Sequence, residues 1–391
     1  MGHVNTVFHQ ILAFARKNRF SALVARHDAD RYVKSFTAWS HLVTMLFAQA
    51  TGKDSLRDLE AAFNVQANNL YHLGAKPVRK STLSDANNRR PWELFQQMYM
   101  DMLARFQDLR PGHSFKFKNP LFSIDSTVID LCLETFPWAK FRARKGAIKM
   151  HHRLSHDGMI PEVIVVTDGK KHDVKVAPEL VADLQPDSII SMDRAYIDYK
   201  FLHSLDKKGV FFVTRAKRNI EHRIVGQHQP PKNNNVVADV LIELTGPKTS
   251  ENYPERMRMI IFIDPVRKKR LVFITNNFKL AASTIAEIYK ARWQIEIFFK
   301  WIKQNLKIKS FLGTSKNAVM IQIWCAMIYY LILAFIKAQS RYPKSLHILT
   351  QIIEAVLFVR TSLFELLDLS IEKAKNIKDP PPLQMKLPDV V

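Results

Sequence analysis

Cysteine is scarce in this chain: 391 residues hold two, Cys132 and Cys325, both set in apolar sequence. That scarcity excludes a disulfide framework and a Cys-rich zinc site, and it fits a reducing cytoplasm. The N-terminus, MGHVNTVFHQILAFARKNRF, lacks the long apolar stretch and small-residue cleavage site of a secretory signal, so no export is expected. No internal repeat is evident. Long apolar runs are scarce as well, the one of note being Val319 to Ile336, VMIQIWCAMIYYLILAFI, with Gln322 as its only strongly polar side chain. Its 18 residues are the shortest plausible membrane span. Nothing else looks membrane-like, so the expectation is a buried helix and no membrane partner. Acidic residues are also outnumbered, 36 against 58 basic, which leaves a net charge of +22. Such an excess calls for a polyanionic partner, and its spread along the whole chain favours nucleic acid over an anionic membrane surface.

What is present is a chain with 47% hydrophobic residues, enough to bury a large core in two or three structural units. Residues 1–112 read as short amphipathic helices: Phe8, Ile11, Leu12 and Ala15 share one face, as do Trp39, Leu42, Val43, Leu46 and Phe47. Ser55 is placed to cap a helix through Phe63, Gly74 marks a turn, and KSTLSDANNRR from Lys80 to Arg90 offers a further helix with a basic end. That arrangement is open to two readings, a DNA-contacting helix pair or an ordinary packed one. Pro91 opens another helix, and Pro111-Gly112 marks a boundary.

From there the pattern turns to strands. Leu121–Leu131, Ala147–Leu154 and Val163–Thr167 read as a meander, followed by a helix at Val174–Leu184 and a strand at Ser188–Met192. A helix at Tyr199–Lys208 and a strand at Val210–Thr214 complete the order βββαβαβ. Residues 216–280 interrupt it with Pro230-Pro231, an asparagine run and strand-like segments at Val236–Ile242, Met257–Ile263 and Leu271–Thr275. Thr284 and Glu287 then have the spacing of a capping box for the next helix. The fold class expected is α/β (α+β). Its parts are a ribonuclease-H-like mixed sheet over 113–312 interrupted by the β-rich insertion 216–280, a helical domain 1–112 before it and a helical region 313–391 after it. The terminal KDPPPLQMKLPDVV reads as a flexible tail.

Three carboxylates stand out on this skeleton. Asp125 lies in the middle of the apolar strand LFSIDSTVIDL, Asp193 ends the strand in IISMDRAY, and Glu296 sits on the helix after the insertion. A carboxylate in an apolar strand is costly to bury unless a cation compensates it. Each aspartate alone reads as a solvated strand-end residue, but an all-oxygen trio suits two magnesium (or manganese) ions, which activate a hydroxyl and stabilise a leaving oxygen. At roughly 100° per residue, Tyr289, Arg292, Glu296, Lys300 and Lys303 fall within a sector of about 80° of one helix face. An ordinary basic solvated face has the same periodicity. The cations around a single carboxylate, however, suit a site that holds metal and grips phosphates together. Lys149, His151, Arg215, Lys217 and Arg218 are candidates to line a DNA path, while His172, Asp173 and Arg194 are secondary candidates near the acids. Trp293 and Trp301 are expected to pack.

The spacing Tyr289-x2-Arg292-x3-Glu296-x6-Lys303 resembles the Y-R-E-K signature of bacterial insertion-sequence transposases of the DDE type. DSTVI at Asp125, KMHHRLSHDG at Lys149, TDGKKHD at Thr167, SMDRAYIDY around Asp193 and FLGTSKNAV at Phe311 extend that resemblance over nearly the whole chain. It implies Asp125, Asp193 and Glu296 as metal ligands, and Tyr289, Arg292 and Lys303 as residues that position the terminal phosphates of an element end. It further implies strand cleavage and strand transfer without a covalent protein intermediate, by a homodimer that synapses two terminal inverted repeats and target DNA in the bacterial cytoplasm, associated with the nucleoid. Relatives often stack an extruded base on an aromatic of the insertion. Here the insertion has no tryptophan, and Tyr253, Phe262, Phe273 and Phe278 receive no such role. The rival expectations are a metal-dependent nuclease without strand transfer, a catalytically inert basic DNA-binding protein, and a membrane protein anchored by Val319–Ile336.

Overall fold

The computed structural model describes residues 5–107, 110–142, 145–228, 235–305 and 310–368; Pro230-Pro231 and the C-terminal tail lie outside these. Short side-chain caps set the first helices. Thr6 accepts from the His9 N–H to start α1 (Val7–Ala13), α2 follows at Lys17–Arg26, and Thr37 starts α3 (Ala38–Ala50). Ser55 caps α4 (Leu56–Asn64) as expected, and α5 (Ala67–Leu70) leads to a turn closed by Gly74 at φ +67°. There an L side chain would be strained. After it come α6 (Lys80–Arg89) and α7 (Glu93–Arg105), the latter beginning two residues beyond Pro91.

One of these helices differs from its amphipathic reading: every residue of α3 is buried, including His41, Thr44 and Gln49. The reason is α13 (Lys316–Gln339), which covers the side of α3 that would otherwise face water. His41 answers Asn87 at 2.8 Å, and burial first of all, with Arg90 adding to it, pushes its pKa down to about 3, so it sits there neutral. The long apolar run is thus an interior helix, 94% of its most apolar 18-residue window being buried. Gln322 fits that interior because its amide closes a pair of hydrogen bonds with the preceding loop, accepting from Leu312 N–H at 2.7 Å and donating to Ser310 O at 2.9 Å. Beyond it lie α14 (Leu346–Val356) and, among the described residues, a last helical stretch over 363–368.

Between the helical ends lies one ten-stranded sheet among the described residues. β1 (Leu121–Leu131), β3 (Lys145–Ser155) and β4 (Ile160–Asp168) form the expected antiparallel meander, with a short β2 (Lys140–Arg142), absent from the sequence reading, on the outer side of β3. The chain then crosses through α8 (Asp173–Leu180) to β5 (Ile189–Met192), and through α9 (Tyr199–Lys207) to β6 (Phe211–Arg215), both strands lying parallel. The order β4-β3-β1-β5-β6 is that of a ribonuclease-H-like mixed sheet.

Residues of the insertion extend this same sheet. β10 (Arg270–Thr275) pairs with β6, then β9 (Met257–Ile263), β8 (Val236–Leu244) and an unexpected β7 (His222–His228) follow outward, with α10 (Pro247–Asn252) between β8 and β9. A buried ion pair holds them. Arg258 on β9 grips Asp239 on β8 through two bonds of 2.8 and 2.6 Å, and its third nitrogen donates to the carbonyls of Asn277 and Leu280. Those carbonyls lie just before α11 (Ala282–Ala291). Thr284 and Glu287 do not form the expected capping box, because α11 begins earlier, after Ala281, with no side-chain cap. Instead the Asn277 side chain accepts from the N–H groups of Lys279 and Leu280 and sets the turn that enters the helix.

Arg258 therefore joins the insertion to the entry of the next helix. Arg258→Met leaves Asp239 charged, buried and unpaired, and is expected to cost roughly 3–5 kcal/mol. Arg258→Met with Asp239→Leu should recover most of it in a thermal or denaturant melt. A single variant as stable as the parent would show that the pair does not fasten the insertion.

Candidate active site

The register of two strands brings the aspartates together. Ile124 on β1 pairs with Met192 on the parallel β5, so the next residues are neighbours, Asp193 just past the end of β5 and Asp125 in β1 where its pairing with β5 stops. Their local geometry is the same: Asp125 Oδ1 accepts from the Ser126 N–H at 2.8 Å, and Asp193 Oδ1 accepts from the Arg194 N–H at 2.6 Å. One oxygen of each carboxylate is thereby fixed and the other left for a partner.

Glu296 arrives on α12 (Trp293–Asn305). Between α11 and α12 the chain tightens for one turn, Ile295 N–H reaching Arg292 O at 3.0 Å, which breaks the single continuous helix of the sequence reading at Arg292. Ile295, Phe298, Phe299 and Ile302 bury the other face of α12. The His152 ring meets both Phe298 and Phe299 edge-on at 5.3 Å, and Tyr330 of α13 meets Phe298 at 5.1 Å and Trp301 at 5.2 Å. Burial and the neighbouring His151 push His152 down to about 3, so β3 offers α12 a neutral ring rather than a charge. Trp301 packs as expected, but Trp293 is 46% exposed.

With α12 seated in this way, Arg292 spans two of the acids. Its guanidinium donates to Asp125 Oδ2 at 2.8 Å and to Glu296 Oε1 at 2.6 Å. Asp125 needs such a cation: burial, above all, pushes its carboxyl up to about 6, with Glu296 and Asp193 adding to the rise and the Ser126 N–H and Arg292 opposing it. Tyr196, on the turn after Asp193, lies among the acids too. Burial, then Asp173, Asp125 and Asp193, holds its phenol well above the ordinary range.

Asp125, Ser126, Glu296, Phe299, Lys300, Lys303 and Gln304 line a cavity of about 470 Å³. Tyr289 stands beside it, its ring 5.0 Å from Phe273 of β10 and 5.6 Å from the Arg292 guanidinium carbon, within the field of Asp193 and Arg215. Other basic candidates are engaged elsewhere. Lys149 is paired with Asp173 at 2.9 Å and is 14% exposed, so its charge is compensated within the protein, and Lys217 donates to Ile197 O at 3.0 Å. Asp173 has more structural connections than its secondary place in the sequence reading gave it. Burial pushes its carboxyl up, but contacts from His151, Ser126 and Lys149 outweigh that and hold it well below the usual range. It ties the first turn of α8 to β1 and β3 directly behind Asp125. The motif TDGKKHD was the available signal, but no spacing rule says that its last residue folds back onto Ser126.

Among the described residues, no three His, Cys, Asp or Glu side chains converge tightly enough to enclose one metal ion as they stand. The donor chemistry nonetheless fits a hard divalent cation: three carboxylates, two at one sheet end and one across the cavity, with a positive charge already demanded between Asp125 and Glu296.

Residues 116–332 match the transposase DDE domain family, and residues 3–76 match a domain family of unknown function. A putative transposase, y4zB of Sinorhizobium fredii, is 31% identical over 284 residues, 71% of this chain and 77% of that protein. The probable transposase for insertion sequence element IS5377 of Geobacillus stearothermophilus is 29% identical over 263 residues, 67% and 68% of the respective chains. A solved piggyBac transposase synaptic complex with hairpin DNA superposes with a TM-score of 0.45 and 10% identity, over 96% of this chain and 82% of that one. The chain belongs to the DDE transposase family, and its function is DNA transposition.

Proposed function

We propose that Asp125, Asp193 and Glu296 are the catalytic acids of this transposase and hold two magnesium (or manganese) ions while the protein cuts the terminal inverted repeats of its element and joins the freed ends to target DNA. The observation that carries this reading is the Arg292 fork on Asp125 and Glu296 at a sheet end where Asp193 is the register neighbour. Divalent ions at such a site supply hydroxyl activation and charge stabilisation at the leaving oxygen. The chain's own residues position the rest. Asp125 and Asp193, each fixed through one oxygen by a backbone N–H, present the other on the same side of the sheet. Lys300 and Lys303 line the cavity beside Glu296 and provide cations for a phosphate backbone, with Tyr289 of α11 and Arg215 of β6 flanking. A homodimer acting on two element ends fits the joining reaction, which needs both ends in one complex.

Arg292 has two roles in this scheme. It neutralises Asp125 and Glu296 while no other cation does so, and a cation shared by those carboxylates has to take its place. The guanidinium is then available to a DNA phosphate, for which its fork is suited.

Two experiments test the proposal. Asp125→Asn, Asp193→Asn and Glu296→Gln should each abolish magnesium-dependent nicking and joining of terminal-repeat DNA, with duplex binding within a few-fold of the parent. Cleavage retained by any purified, folded variant would remove that residue from the catalytic set, and nicks without joined products in the parent would favour a nuclease. Arg292→Gln should bind manganese several-fold more tightly than the parent in DNA-free calorimetry. Equal or weaker manganese binding would sink the placeholder role.

A further inference from the structure

Helix α6 has a composition that its own stability does not explain. Ser81, Thr82, Ser84, Asp85, Asn87 and Asn88 are six poor helix formers in ten positions, where a merely solvated helix gains from Ala, Glu, Lys or Arg. It is held by its surroundings. Leu83 and Asn87 are buried, Asn87 Oδ1 accepting from His41 Nε2 at 2.8 Å, and Asn317 of α13 donates to the carbonyls of Asn87 and Arg90 at 2.8 Å each. Ser315, in the turn before α13, donates to Asn88 Oδ1 at 2.6 Å. The helix is therefore anchored to the same α13 that seats α12 and Glu296.

Its other face is open. Lys80, Ser81, Thr82, Asp85, Asn88 and Arg89 are exposed, and Lys76, Arg79 and, across the Ser315 contact, Lys316 are exposed around it. Short hydroxyl, amide and carboxylate groups at i, i+1, i+4 and i+7, surrounded by Lys and Arg, match the division of labour of a DNA-reading helix: short polar groups for base edges, cations for phosphates. The start of α6 agrees, having no acidic residue in its first turn and no side-chain cap on its N–H groups. α4 packs on α6, completing a helix pair, and Asn64 of α4 clamps the loop between them through two bonds to Val78, of 2.9 and 3.0 Å. Asp85 is the informative residue. A carboxylate in a basic field opposes non-specific phosphate binding, and it is useful where it accepts from a cytosine amino group.

We propose that the exposed face of α6 reads the sequence of the element's terminal repeat in the major groove of duplex DNA, and that its anchorage to α13 fixes the reading surface relative to the catalytic carboxylates. This rests on the transposase function proposed above and adds the surface by which an end is distinguished from other DNA.

The test is fluorescence anisotropy of the full-length protein with the terminal repeat that flanks its own gene and with a scrambled duplex of equal composition. Thr82→Ala and Asp85→Ala replace exposed residues by a better helix former, so α6 itself is preserved, which circular dichroism and the melting midpoint verify. Each variant should reduce the preference for the terminal repeat by about fivefold or more. Asp85→Ala should bind the scrambled duplex as well as or better than the parent. Lys76→Ala with Lys80→Ala should weaken both duplexes alike and flatten the salt dependence by about one to two units of slope. A full preference in both Thr82→Ala and Asp85→Ala overturns the α6 assignment and leaves end-specific binding intact elsewhere on the protein. A parent chain that does not distinguish the two duplexes overturns the wider functional proposal instead.

Discussion

Acidic side chains at the dry end of a sheet cannot stay charged without a positive neighbour, and this molecule is organised around supplying one. Asp125 is pushed up to about 6 chiefly by burial, and Arg292 brings its guanidinium to both Asp125 and Glu296. Desolvation of an isolated carboxylate costs far more than an exposed ion pair returns, so the fork has to be rigidly presented. The rest of the fold meets that demand. β1 and β5 set the two aspartates side by side, and the tight turn at Arg292 puts the guanidinium between β1 and α12.

Rigid presentation of α12 comes from hydrophobic contacts on its far side. Phe298, Phe299 and Trp301 lock against His152 of β3 and Tyr330 of α13, so the helix cannot rotate its carboxylate out of the cavity without exposing aromatic area. α13 in turn covers α3, donates hydrogen bonds to the end of α6 through Asn317, and holds its own loop through Gln322. The insertion is tied to the start of α11 by the buried Arg258–Asp239 pair. Helix α6, the acidic site and the insertion are thus linked by a few satisfied polar contacts set in apolar packing.

Much of this was legible in the residues. The apolar run LFSIDSTVIDL and the short strand-like runs alternating with helical ones pointed to the meander and the two crossovers, because strand and helix patterns are local properties. The Tyr289, Arg292, Glu296 and Lys303 spacing gave one helix face, though not the break at Arg292, since a 3-10 turn has no spacing of its own. Thr284 and Glu287 misled for a related reason: a capping pair counts only where the chain enters the helix, and Asn277 had already fixed that entry. α3 was read as amphipathic because half its residues are polar or small, and only the presence of α13 makes both faces interior.

By itself the sequence determined the alternation of strands and helices and the cationic excess, since each follows from near-neighbour chemistry along the chain. Tertiary structure decided which of those charges meet. Arg292 bridges two carboxylates 167 and four residues away, Lys149 pairs with Asp173, and β10 turns the insertion into a continuation of the central sheet. Such pairings depend on which surfaces lose water together when distant segments pack, and no local pattern of residues specifies that.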